Sequence, residues 1–318
     1  MRLKNLLSLI LLGLSHWANA GTETFSFGHC IVALVDSTTA AGILQQPDAY
    51  TNSHTAFDLS IRLDRPNGLI EGDYLKAAGH DVTNWPTAEK SLLLSAFSQI
   101  DSMASLKGWH LHLPDTIKMI KTNCREEFGA EGYTRGNCIM LNSAADPIST
   151  AVVAHELWHV ISRLNPDLRK KIYEVFHFKP CNSIDYKEAL HNRVITNPDC
   201  PFLLNYATVE VDGQEQDVAL VLYSKSGYSP GKGLMDYLNI GLLALQGDDS
   251  HKKPLLVDGE PKIYEVQDVP DFIRQVGMNT PYMLHIEEVS AEHFSALVTG
   301  KILRQMEFVT GFGEVLKQ

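Results

Sequence analysis

After its first twenty residues the chain has no apolar run approaching the ~20 residues that a bilayer span needs, so no later segment offers itself as a membrane helix. Basic residues are scarce: 27 Lys and Arg stand against 38 Asp and Glu, a net charge of −11. Nucleic-acid binding usually needs a basic face, so this balance argues against a nucleic-acid partner. The five cysteines show no CxxC spacing, which weakens cysteine as a zinc ligand. A Gly-rich phosphate loop, a GxSxG elbow and a convincing Cys–His nucleophile pair are all missing, which sets aside nucleotide cradling and serine or cysteine catalysis. Internal repeats and low-complexity stretches are missing too, so the chain reads as one large domain or two intimate lobes.

What is present begins at the N-terminus. Arg2 and Lys4 precede the apolar run Leu6 to Leu14, and Ala18-Asn19-Ala20 supplies small residues at cleavage spacing. That layout is a secretory signal peptide over residues 1–20 and predicts a secreted or periplasmic protein without stable membrane insertion. The first cysteine, Cys30, lies ten residues past the expected cut, which argues against a lipoprotein. Export makes disulfides plausible. The pairing closest in sequence is Cys124 with Cys138 and Cys181 with Cys200, leaving Cys30 alone.

Periodicity predicts an α+β protein. Residues 21–85 read as irregular, with strands at Cys30–Val35 and Phe57–Leu63. A helix runs from Thr87 to about Ser105 on the apolar face of Leu92, Leu93, Ala96, Phe97 and Ile100. Strands follow at Ile117–Lys121 and Cys138–Leu141, with a turn at Glu131–Gly136. A helix starts near Pro147 and runs to Leu164, and a second follows Asn165-Pro166 to about Phe176. Residues 177–215 read as loop-rich. Val218–Tyr223 and Ile263–Val266 read as strands, Glu287–Val298 as an amphipathic helix, and Lys301–Val309 as the last helix.

The chemistry concentrates in His155-Glu156-Leu157-Trp158-His159. Four residues apart on a helix, His155 and His159 share one face, one turn apart. Two imidazole nitrogens so placed can hold one Zn²⁺, and Glu156 can reach a water on that ion without ligating it. The flanks Val152, Val153, Ala154, Leu157, Trp158, Val160 and Ile161 carry no charge, as in a helix buried on most sides. Two histidines and a glutamate there need partners, and a metal satisfies all three.

The stretch Val152–Ile161 resembles the active-site helix of the HExxH zinc metallopeptidases, the zincins. Glycine and histidine three and six residues after the second histidine would mark the metzincin branch; here those places hold Ser162 and Asn165. The late segment Glu287-Glu288-Val289-Ser290-Ala291-Glu292 is similar to the gluzincin pattern and to that of a group of exported bacterial zinc peptidases. The resemblance implies Glu288 as third zinc ligand and Glu292 as the acidic partner of one ligating histidine. Glu287, Glu188, Asp199 and His177 remain open as alternatives for the ligand. The resemblance also implies a small mixed or antiparallel sheet under the helix, the segment from Gly132 to Leu141 bordering a substrate cleft, and an oxyanion donor, for which Tyr282, His285 and Tyr228 are candidates.

These readings converge on a zinc-dependent peptidase acting on a peptide or protein substrate, with Glu156 as general base. An N-terminal lobe at 21–165 carries the HExxH helix, and a helical C-terminal lobe at 166–318 carries the third ligand. The rivals are a zinc amidase acting on cell-wall peptides and a non-catalytic exported zinc-binding protein.

Overall fold

A computed structural model describes residues 22–318 apart from 67, 143, 145 and 146. The leader expected at 1–20 lies outside the described residues. The chain opens with β1 (Glu23–Phe27) and β2 (Cys30–Leu34), the helices α1 (Ser37–Leu44), α2 (Ala56–Leu63) and α3 (Glu71–His80), and the short β3 (Val82–Thr83). The long α4 (Thr87–Lys107) leads to β4 (Thr116–Thr122), β5 (Gly132–Arg135) and β6 (Cys138–Leu141). Then come α5 (Thr150–Leu164), α6 (Pro166–Val175), β7 (Phe178–Pro180), β8 (Asn205–Val211), β9 (Gln214–Tyr223), α7 (Leu234–Tyr237) and β10 (Asn239–Gln246). The remainder is β11 (Lys253–Pro254), β12 (Leu256–Val257), β13 (Glu260–Pro261), β14 (Ile263–Glu265), α8 (Pro270–Val276), α9 (Ile286–Thr299) and α10 (Met306–Val315).

The class is α+β, built on two six-stranded sheets. The first is mixed, in the order β1-β2-β4-β6-β5 with β3 beside β4. β4 runs parallel to β2 and β6, while the β5–β6 pair is an antiparallel hairpin. Its two-residue connection is Gly136-Asn137, and Gly136 has the left-handed φ of 58° that favours glycine. β5 is therefore the edge of the sheet. The second sheet, β11-β10-β9-β8-β7 with β14 also on β10, is antiparallel throughout.

α5 packs on β5 and β6, between α4 and α9. Ser149 caps it, its hydroxyl accepting from the Val152 N–H at 3.3 Å. It ends where Pro166, which has no N–H to donate, opens α6 at its first position. Trp158 is fully buried and meets Phe312 and Phe294 at ring-centroid distances of 4.8 and 5.6 Å. Burial of each such aromatic contributes about 1.5–3 kcal/mol. The main core takes residues from β1 through α10, so it is shared across residue 165.

Several elements differ from the sequence reading. Residues 21–85 hold three helices, and Phe57–Leu63, read as a strand, lies in α2. Its alternating pattern conveys nothing about exposure, because Asp58, Ser60 and Arg62 are as buried as Leu59 and Ile61. Arg62 bridges Asp58 at 3.0 Å and also pairs with Glu127, which lets the charges enter the interior together. The turn expected at Glu131–Gly136 is strand β5 up to Arg135 and turns only at Gly136-Asn137. Strands β7 and β8 occupy part of the region read as loop, so the C-terminal half is not chiefly helical but carries the second sheet. The last helix, expected at Lys301–Val309, begins at Met306.

The expected disulfides do not form: all five cysteines are free thiols. Cys138 stands opposite Lys118 in the parallel β4–β6 register, whereas Cys124 follows the far end of β4. Strand rise separates Lys118 from Thr122 by about 13 Å, well beyond the ~7 Å Cα limit of a disulfide. Cys181 packs against the core of the second sheet, and Cys200 lines a cavity beside Tyr173. No helix of the described residues is long and apolar enough to cross a membrane.

Candidate metal centre

The site is made by two helices running in opposite directions. His155, early in α5, meets Glu292, late in the facing stretch of α9; His159, one turn on, meets Glu287 at the start of α9. Glu288 lies between them. Its Oε2 is 3.1 Å from His155 Nε2 and 3.6 Å from His159 Nε2. The opposite nitrogen of each ring is held by a carboxylate: His155 Nδ1 is 3.2 Å from Glu292 Oε1, and His159 Nδ1 is 3.0 Å from Glu287 Oε1.

These carboxylates are themselves fixed. Glu287 Oε2 accepts from the Ser162 hydroxyl at 2.7 Å and from the Tyr173 hydroxyl. Glu288 Oε1 accepts from Asn197 Nδ2 at 2.6 Å, which leaves Oε2 to face the imidazoles. Thr280 donates to Glu292 at 3.4 Å. The pattern is the one that orients ligating histidines: the ring nitrogen away from the ion donates to a carboxylate, so the other faces the ion as a lone pair.

A zinc ion fits these residues. Four donors at 2.0–2.1 Å from a tetrahedral ion sit about 3.3 Å from one another, and the 3.1 and 3.6 Å separations to Glu288 bracket that value. His155, His159 and Glu288 each offer an atom within 4.8 Å of the others. His159 Nε2 and Glu156 Oε2 are buried with no hydrogen-bond partner. The charge also calls for a cation. Burial acts to lower the His159 pKa, yet Asp199, Glu288 and Glu287 outweigh it and hold the imidazole well above its usual range. For His155 burial is likewise outweighed, by Glu288 and Glu292, which hold it up at about 10. Glu288 lies well below the carboxylate range: burial opposes this, and His159 and His155 more than offset it.

Glu156 faces a cleft of about 710 Å³ that also reaches His155, Glu288 and Tyr282. Burial first, then the Asp199 carboxylate, pushes its carboxyl up to about 8. If the site held an ion with a bound water, a carboxyl raised in this way would suit proton transfer in both directions.

The sequence-derived candidates fall into distinct places. His155, Glu156, His159, Glu288 and Glu292 come together. Tyr282 lines the cleft with its ring centroid 6.2 Å from that of His155. His285 does not face the cleft: it is the N-cap of α9, its Nδ1 accepting from the Glu287 N–H at 3.1 Å, and it lines a separate cavity. Burial drives its pKa down to about 4, so it is neutral, as that acceptor role requires. Tyr228 is away from the cleft and donates to Asp64 at 3.1 Å. Among the alternative ligands, Glu188 and His177 are exposed and outside the site. Glu287 bonds the outer nitrogen of His159. Asp199 lies within 4.8 Å of donor atoms of Glu156 and His159.

Three contributors were not foreseen: Asn197, Ser162 with Tyr173 as holders of Glu287, and Gly132 against Glu156. Two histidines in a buried helix each need an acidic partner, so the pairing Glu287–Glu288 could have been read as one partner plus one ligand. Asn197 lies in a loop with no periodic signal. Comparison of the chain with protein-family models, with curated proteins and with solved structures gives no match in any of the three.

Proposed function

We propose that the chain is a zinc-dependent peptidase in which His155, His159 and Glu288 hold the ion and Glu156 is the general base. The observation that carries this reading is one Glu288 carboxylate oxygen 3.1 and 3.6 Å from the Nε2 atoms of His155 and His159, beside a buried Glu156 carboxylate oxygen without a partner on a residue that lines a cleft. A zinc ion there supplies Lewis acidity and makes water a competent nucleophile near neutral pH. Glu156 takes the proton from that water and passes it to the leaving amine. Tyr282, whose hydroxyl makes no hydrogen bond among the described residues, is the cleft group able to donate to the developing oxyanion. The same site on a cell-wall peptide would make the chain an amidase of that substrate. A secreted or periplasmic setting rests on the leader pattern at 1–20.

A second reading, a non-catalytic zinc-binding protein, draws on Asp199, which has a carboxylate oxygen within 4.8 Å of donor atoms of His159 and Glu156 and would close the coordination if it joined the ion as a fourth ligand. One experiment separates the two: zinc content and peptide hydrolysis for the wild type, His159→Ala and Glu156→Gln. The peptidase reading expects about one zinc per chain in the wild type and in Glu156→Gln, hydrolysis only in the wild type, and neither in His159→Ala. Zinc without any hydrolysis of casein or of peptidoglycan peptides favours the closed site.

A further inference from the structure

Two cavities lie along the outer edge of β5, divided by one short segment. The catalytic cleft borders the strand at Gly132 and Tyr133, and a cavity of about 330 Å³ borders it at Arg135 and Gly136. Pro198 and Asp199 line both, so this pair is the wall between them. The wall is fastened to the strand: the Thr134 N–H donates to Asp199 Oδ1 at 2.9 Å, and the Thr134 hydroxyl donates to the same oxygen at 2.5 Å. Arg163 ties it from the side of the smaller cavity, donating to Gly136 O at 2.9 Å, Thr134 Oγ1 at 2.8 Å and Pro198 O at 3.5 Å.

An extended peptide that docks on a sheet edge uses the outward N–H and C=O groups of alternate residues. In the β5–β6 ladder those belong to Gly132 and Thr134, since Arg135 and Cys138 flank the two-residue turn. Gly132 presents its pair to the cleft, but the Thr134 N–H is already bound to Asp199. The docking edge therefore stops after Gly132, and the cleft is blind at that end.

Resting on the peptidase reading above, we propose that Asp199 is a specificity-determining residue that fits the site to the free amino end of a peptide. Asp199 Oδ1 serves Thr134, while Oδ2 accepts no hydrogen bond from the described residues. The blind end thus presents a carboxylate oxygen with Glu288 close by; Arg163, whose guanidinium is 3.8 Å from Oδ1, offsets part of that charge from the far side of the wall, and Oδ2 on the cleft side attracts an ammonium and repels a terminal carboxylate. Asp199 is within 4.8 Å of a Glu156 oxygen, and one extended residue spans about 3.3 Å. An ammonium seated on Asp199 therefore brings the first peptide bond of the chain to the general base.

The test uses the zinc-loaded full chain and one unstructured peptide in three forms: both ends free, amino end acetylated, and carboxyl end amidated. The expected result is stepwise shortening from the amino end. Acetylation should slow cleavage at least about tenfold, because it leaves the buried carboxylate unpaired, and amidation should change it by less than about twofold. Asp199→Asn should shrink the acetylation effect, and Arg163→Gln, which loosens the wall, should let interior bonds be cut. If Asp199→Asn does not fold, the three wild-type rates still decide the matter. Glu156-dependent cleavage of interior bonds at equal rates in free and acetylated peptide overturns this proposal and leaves the peptidase reading standing. No Glu156-dependent cleavage of any form removes both.

Discussion

Gly132 and Glu156 touch so closely that a side chain at position 132 has no room: a Cβ built there falls 2.7 Å from Glu156 Oε1 and 2.8 Å from its carboxyl carbon. Gly132 is not in the left-handed region, so space and not backbone freedom is what glycine supplies. Gly132→Ala should push the Glu156 carboxylate out of line while leaving the zinc ligands in place. The expected loss of peptide hydrolysis is roughly a hundredfold, the scale of a 1 Å misplacement of a reacting group. Zinc content should be unchanged, and a joint loss of zinc and activity would refute this account of the glycine.

Glu287 should control zinc affinity without touching the ion. Glu287→Gln weakens the hydrogen bond that orients His159, and partners of this kind contribute about 10–100-fold to metal affinity. Glu292→Gln should cost less, because Glu292 is partly exposed while Glu287 is buried. Competition against a fluorescent chelator measures both; equal affinities in the two variants would contradict the assignment.

Zinc binding should depend on pH through His155. In the metal-free chain its pKa is held up at about 10, so the imidazole carries a proton at neutrality. Zinc takes neutral rings, so binding must expel a proton from His155 and one from His159, whose imidazole is held well above its usual range as well, and affinity should rise with pH from 6 to 9. Calorimetry in buffers of differing ionisation enthalpy reads the proton count directly. Affinity flat across that range would exclude the protonated resting state.

Glu126 should make the fold less stable at alkaline pH. Burial pushes its carboxyl up from 4.5 to about 7, although the Tyr133 hydroxyl, 2.5 Å away, pulls the other way. The folded-state value is raised, so the unfolded chain gives up its proton first. Stability from this group is complete below pH 4.5 and is lost as pH climbs through 7. At 1.36 kcal/mol per pH unit the loss approaches about 3 kcal/mol. Glu126→Gln should therefore be more stable than the wild type at pH 8 and no better at pH 4 in urea unfolding. An unchanged difference between the two pH values would show that the carboxyl does not titrate there.

Local periodicity made some of this molecule legible. β6 matches its reading residue for residue, and α5 starts three residues after Pro147 because Ser149 provides the cap. The strand β10, with Gly241 to Leu245 buried in succession, has no alternation to betray it. α1 to α3 are only 8 to 10 residues long, too short for a clear 3.6-residue pattern. The histidine pair was evident because its spacing is helical within one element. Glu288 came only through family resemblance, since nothing in local sequence tells that α9 lies across α5. Asn197 and Asp199 owe their places to a loop fixed by tertiary contacts alone.

The opposed helices tie two distant stretches into one frame. Glu287 holds His159, Glu292 holds His155, and Glu288 stands between the two rings, so the intervals in α9 are as rigid as those in α5. One residue inserted after Glu288 would swing Glu292 by about 100° around its axis and strand His155, however well the rest folded. The stretch between the two helices is bound to the same frame wherever it carries Tyr173, Asn197 and Asp199, so H-E-x-x-H and E-E-x-x-x-E act as two halves of a single word.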